Sequence, residues 1–185
     1  MPHIHTEPGQ HDITVSACIV RYVGDTPLVL VHMHRKFGKL MQIGGHVEID
    51  ETPWQTLGHE LTEESGYTIQ DLQILQPLDG VPVVTEAIVH PVPALSNTHK
   101  VTADHFHSDY CYAFVAGNVP SQLPAEGESQ DLRWMTIDEL QQAVADGVAW
   151  QDIADIYRYV VEKCLPVYSR IDAALFSLEK PTKLK

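Results

Sequence analysis

Positive charge is scarce in this sequence. Only 12 Lys and Arg stand against 25 Asp and Glu, a formal charge of −13 at pH 7. That imbalance argues against a nucleic-acid polymer or an anionic membrane as partner, because both would be repelled. A small phosphate compound remains compatible if a divalent cation screens the encounter. Cysteine is equally sparse: Cys18, Cys111 and Cys164 are widely spaced, with no CxxC or CxxxxH pattern. Neither a disulfide framework nor a zinc finger is indicated, and the thiols read as small apolar core residues in a reducing compartment. No apolar run approaches the ~20 residues of a membrane span. The opening MPHIHTEPGQH is polar and lacks an apolar signal region, so a cytoplasmic protein is expected. Internal repeats and low-complexity tracts are also missing.

What is present suits one domain. At 185 residues the chain can bury about 70% of the surface its unfolded form exposes. Residues 1–11 read as a loose leader. "ITVSACIV" (13–20) and "LVLVHMH" (28–34) are strand-like, the second with His32 and His34 on one face. "KLMQI" (39–43) leads into Gly44 and Gly45. Residues 52–65 carry helix punctuation: Thr52 as N-cap, Pro53 at the first position, Gln55 completing a capping box, and Gly66 just past the end. Trp54, Leu57 and Leu61 form the buried stripe. Residues 67–75, 81–90 and 107–117 read as strands, with a loop between the last two. "LRWM" (132–135) is a short strand before a helix whose capping box is Thr136 and Glu139. From Trp150 to about Lys180 two helices are expected, broken at Pro166. The order predicts a mixed α/β fold.

The segment 44–67, "GGHVEIDETPWQTLGHELTEESGY", holds six acids in 24 residues. At ~100° per residue Glu60, Glu63 and Glu64 fall within about one third of the helix circumference. Their Cβ atoms would lie ~5–6 Å apart, where like charges repel. Hard cations such as Mg²⁺ and Mn²⁺ bind carboxylate sets of this kind. A solvated acidic face is the plain alternative for an isolated ExxEE.

The wider spacing bears on that choice. Gly45, Glu51, Glu60, Leu61, Glu63, Glu64 and Gly66 match the pattern Gly-x5-Glu-x7-Arg-Glu-U-x-Glu-Glu-x-Gly-U, with U a bulky apolar residue, and Tyr67 is acceptable at its end. This closely resembles the Nudix box, and Gly44 and Glu48 are further features frequent beside it. The resemblance implies an α/β/α sandwich with a mixed sheet over residues 12–148, followed by a helical extension over 149–185. It implies Mg²⁺, with Mn²⁺ as a substitute, held by Glu60, Glu63, Glu64 and the carbonyl of Gly44. The expected activity is hydrolysis of a diphosphate bond in a nucleoside diphosphate linked to another group. The general base would be Glu60 or Glu64, or a glutamate from a later loop: Glu128, six residues before Trp134, with Glu126 next. Glu51, near the helix start, and His46, beside the metal loop, are candidate substrate-side residues.

One position departs from the pattern. His59 stands where relatives carry an arginine that orients box glutamates through a bidentate ion pair. An imidazole lacks that planar fork but can be favoured in its charged form among carboxylates. Downstream, "HPVP" (90–93) and "DHFHSDY" (104–110) resemble a Nudix subgroup. His105 and His107 would share a strand face with Asp109. They fit a phosphate- or ribose-contacting wall, a transition-metal site, or solvent-facing histidines beside a sheet edge. Pro82, about fifteen residues past the box, favours ADP-ribose or another nucleotide sugar by family resemblance. Nucleoside triphosphate housecleaning and a non-catalytic nucleotide sensor are the alternatives. Tyr157, Val160, Val161, Cys164 and Leu165 are compatible with packing on the domain or with a homodimer.

Overall fold

The computed structural model describes residues 7–179. The first six residues of the expected leader, and residues 180–185, lie outside that range. Its remaining residues are not all loose: β1 (His11–Val23) begins at His11. β2 (Thr26–His34) follows a tight turn, and β3 (Lys39–Met41) and β4 (Ile43–His46) come from the "KLMQIGGH" stretch. Then come α1 (Pro53–Glu60), β5 (Leu72–Gln76), β6 (Leu95–Lys100), β7 (Phe106–Ala116), β8 (Leu132–Met135), α2 (Ile137–Ala145), α3 (Gln151–Tyr159) and β9 (Ser169–Asp172). The strands form one sheet of nine, in the order β3-β2-β1-β7-β5-β9, with β4 on β1, β6 on β7 and β8 on β2. β1 and β7 run parallel while the other pairs are antiparallel, so the sheet is mixed as expected.

Alternation along β1 sends Val15, Ala17 and Ile19 into one core with Trp54, Leu57 and Leu61 of α1. Cys18 and Val20 enter a second core with Leu140 of α2 and Ile153 and Tyr157 of α3. Helices therefore cover both faces, giving the α/β/α sandwich. All three cysteines are buried and unbridged. Tyr157, Val160, Cys164 and Leu165 fill the second core, with Val161 packed against it, so this apolar set is used within the chain. Among the described residues no helix is long and apolar enough to cross a membrane.

Both predicted capping boxes form. Thr52 accepts from the Gln55 amide while Gln55 accepts from the Thr52 amide, and Thr136 and Glu139 do the same. The first helix continues as a π-helical turn over Leu61–Ser65 and ends at Gly66, whose φ of 74° is left-handed. Four expectations fail. The strand read over 67–75 is shortened, because a 3₁₀ turn at Ile69–Asp71 precedes β5. Residues 81–90 form no strand: Pro82 has no N–H for a ladder, and Val83 is 97% exposed. β6, from the stretch read as loop, pairs with β7 instead. The second C-terminal helix is also missing. A π-helical turn at Val160–Cys164 runs out before Pro166, and β9 then pairs with the otherwise open edge of β5.

Candidate active site

Burial of one face of α1 fixes the direction of the other. Trp54, Leu57 and Leu61 are fully buried, and the Trp54 indole N–H donates to the Phe176 carbonyl at 3.1 Å. Glu60 and Glu64 are thereby turned toward β4, each only 7% exposed. The Gly44 amide donates to Glu64 Oε2 at 2.9 Å. A Cβ placed on Gly45 would lie 2.1 Å from Glu60 Oε1, so that carboxylate occupies space only a glycine leaves open. Glu63 stays exposed one turn away.

The later loop is tied to this helix end. The Ala125 amide donates to the Glu63 carbonyl at 2.7 Å, and the Glu128 amide to the Ala125 carbonyl at 3.1 Å. Glu128 is half-buried and its charge acts on both Glu60 and Glu64, whereas Glu126 is exposed. Burial, then repulsion from Glu63, pushes the Glu60 carboxyl up to about 7. Burial, then repulsion from Glu60, pushes Glu64 to about 9, against the favourable Gly44 hydrogen bond. Among the described residues no lysine or arginine pairs with either group. His32, 2% exposed, approaches Glu64 at 3.9 Å, but burial holds its imidazole down to about 4, so it is neutral near pH 7. Sequence reading placed His32 and His34 on one face without linking them to this site; the signal was their position on a strand beside the helix.

Glu51 belongs to the same group. Its Oε2 accepts from Thr56 Oγ1 at 2.8 Å, and its Oε1 lies 2.8 Å from His59 Nδ1. The structure thus brings together Gly44, Glu51, His59, Glu60, Glu63, Glu64 and Glu128. The oxygen-rich donor set, crowded with carboxylates beside a side-chain-free backbone, fits a hard divalent cation.

His46, His105 and His107 are placed elsewhere. Because Gly45 faces Glu60, His46 points to the opposite face of β4. There it meets His107, Nε2 to Nε2 at 3.1 Å, and Asp12 Oδ2 at 3.7 Å; His105 Nε2 lies 3.2 Å from the same oxygen. Asp12 was missed in the sequence, where its signal was a polar alternation, Asp12, Thr14, Ser16, in an otherwise apolar strand. Asp109 continues this face, accepting from Thr14 at 2.9 Å and Ser16 at 2.7 Å.

The sequence model of the NUDIX domain matches residues 12–159, and the chain belongs to the Nudix family. It is accordingly a pyrophosphohydrolase, an enzyme acting on phosphorus anhydrides. No curated protein matches the sequence significantly. Similar solved structures share its fold. A NUDIX-family hydrolase from Clostridium perfringens is 24% identical with a TM-score of 0.63, over 82% of this chain and 96% of the other. A C. elegans Ap4A hydrolase gives 16% and 0.62, over 81% and 95%. The NUDIX domain of Shewanella oneidensis NrtR, complexed with ADP ribose, gives 16% and 0.59, over 83% and 88%.

Proposed function

We propose that this protein hydrolyses the diphosphate of a nucleoside diphosphate linked to another group, with ADP-ribose or a related nucleotide sugar as substrate. The observation that carries the reading is the buried Glu60–Glu64 pair, turned against Gly44 and Gly45, with no lysine or arginine paired to it among the described residues. Glu60, Glu63, Glu64 and the Gly44 carbonyl would hold Mg²⁺, or Mn²⁺ in its place. Bound there, the ion neutralises the diphosphate and polarises the bond under attack. Glu128, on the loop tied to the helix end, takes the proton of the attacking water. The water oxygen joins one phosphorus, the bridging P–O bond breaks, and two phosphorylated products leave. Glu51, held by Thr56 and His59, flanks the start of the helix and keeps the substrate side of the site in register. The nucleotide-sugar preference is supported by Pro82 and by the ADP ribose bound to the NrtR NUDIX domain. The Ap4A hydrolases of the same fold put dinucleoside polyphosphates next in the panel.

The test is product release from ADP-ribose, nucleotide sugars, dinucleoside polyphosphates and nucleoside triphosphates, with Mg²⁺, Mn²⁺ or EDTA. Metal-dependent turnover of nucleotide sugars, lost in Glu64→Gln, is expected. Turnover confined to triphosphates would overturn the substrate assignment. Tight nucleotide binding without any turnover would overturn the catalytic one.

A further inference from the structure

On the face of the sheet opposite α1, side chains from three strands converge with that of His105, the residue just before β7. β1 runs between β4 and β7, with Asp12 beside His107 in the parallel register and Thr14 beside His46 in the antiparallel one. His105 lies two residues before His107, so its side chain falls on the same face. The outcome is three imidazoles gathered around one carboxylate. Asp12 is 1% exposed and His105 is 8% exposed.

We propose that Asp12, His105 and His107, completed by His46, form a second metal site that binds a divalent transition-metal ion of the zinc class. It is separate from the hard-cation site of the glutamates. Ligand atoms of Asp12, His105 and His107 all lie within 4.8 Å of one another. Zinc bonds of ~2.0–2.1 Å to nitrogen or oxygen put the edges of a coordination tetrahedron at about 3.3 Å. The separations of 3.1 Å (His46 to His107), 3.2 Å (His105 to Asp12) and 3.7 Å (His46 to Asp12) bracket that length. Ligand type sets the class of ion. Imidazole suits Zn²⁺, Co²⁺ and Ni²⁺, while Mg²⁺ and Ca²⁺ want oxygen. One carboxylate with three neutral imidazoles leaves a divalent ion with a net charge of +1, which an acidic chain of formal charge −13 accommodates.

The site ties together the start of β1, the end of β4 and the start of β7. Its readout does not depend on the hydrolase activity, so it can be tested where the glutamate site is disabled. Co²⁺ is the probe, because its visible d–d absorption reports a low-coordinate nitrogen–oxygen environment. The full chain carrying Glu60→Gln and Glu64→Gln is expected to bind one equivalent of Co²⁺ with visible absorption, displaced by Zn²⁺. Adding His105→Gln and His107→Gln is expected to abolish the absorption and weaken Zn²⁺ affinity by at least 10-fold. If that protein fails to fold by circular dichroism, the single His107→Gln, at a half-buried position, decides. Absent absorption in the glutamate variant, or affinity unchanged by the histidine substitutions, would overturn the site. Those outcomes would mean that the four groups hold no ion.

Discussion

Glu51 is held from two sides: its Oε2 by the Thr56 hydroxyl and its Oε1 by His59 Nδ1, both at 2.8 Å. The box position where arginine is usual is therefore still engaged with a box glutamate. The contact is single, and the imidazole is 66% exposed, so solvent weakens it. Arg at this position would present two parallel N–H groups to the same carboxylate. His59→Arg is expected to keep kcat/KM or raise it by up to about 5-fold, and His59→Ala to lower it by about 3–10-fold. Steady-state kinetics on both variants checks this. A large loss on arginine substitution would show that the imidazole does something a guanidinium cannot.

Glu60→Gln and Glu64→Gln keep shape and remove charge. Each is expected to cut kcat by at least about 100-fold, the scale of losing a group that stabilises developing charge. The fold should survive, because removing either charge relieves repulsion between two buried carboxylates. Far-UV circular dichroism and kinetics on the same preparations separate the two effects. Wild-type turnover in either variant would sink its ligand assignment.

The same repulsion gives a pH dependence whose sign is set. The Glu60 and Glu64 carboxyls are raised to about 7 and about 9 in the folded chain, above the unfolded value of about 4.3. The folded state then binds more protons, so its stability is fullest below about pH 4.3 as far as these groups go, and is lost as pH rises through the folded values. In EDTA the Tm contribution of the pair should fall between about pH 5 and 9. Mg²⁺ favours the ionised pair, so the Tm gained on adding it should grow over the same range. Melting curves of wild type and Glu60→Gln/Glu64→Gln, with and without Mg²⁺, isolate this pair. A Mg²⁺ increment that is flat with pH would contradict the arrangement.

For the general base, two neighbouring loop acids provide an internal comparison. Glu128 is half-buried and acts electrostatically on both box carboxylates; Glu126 is exposed. Glu128→Gln is expected to lower kcat by about 10²–10⁴-fold with little change in KM. Glu126→Gln should stay within about 2-fold. Equal effects would remove Glu128 from the proton-transfer role.

The site was legible where chemistry is written in short-range spacing. Thr52, Pro53, Gln55 and Gly66 mark the ends of one helix, and Glu60, Glu63 and Glu64 follow from its period. Glu128 is singled out by resemblance to the family's later-loop glutamate, and its loop does return to the helix end through Ala125 and Glu63. What the sequence did not reveal depends on pairing between distant strands. β9 forms because β5 has an open edge, and a "SRID" stretch after a proline carries no sign of that edge. Likewise Asp12 and His107 are 95 residues apart, and only the parallel register of β1 with β7 makes them neighbours. His46 reads as a substrate-side candidate because it follows Gly45 beside the metal loop; strand alternation sends it to the other face.

Two glycines of the box should fail in different ways when replaced by alanine. At Gly45 the new methyl would meet Glu60 Oε1 at 2.1 Å, the far end of a flexible side chain. Glu60 can swing away, so the fold should hold while the carboxylate leaves its place. Gly45→Ala is thus expected to lower kcat by about 10–100-fold with less than about 1 kcal/mol lost in stability. At Gly66 the methyl would meet the Gln122 carbonyl oxygen at 2.0 Å, and φ is +74°. Neither the backbone of the facing loop nor a left-handed alanine yields cheaply. Gly66→Ala should cost about 1–3 kcal/mol and displace the loop that carries Glu128. Urea midpoints and kcat measured on both variants test the contrast. If Gly45→Ala proved the less stable of the two while retaining activity, the close approach of β4 to Glu60 would not be what holds that carboxylate.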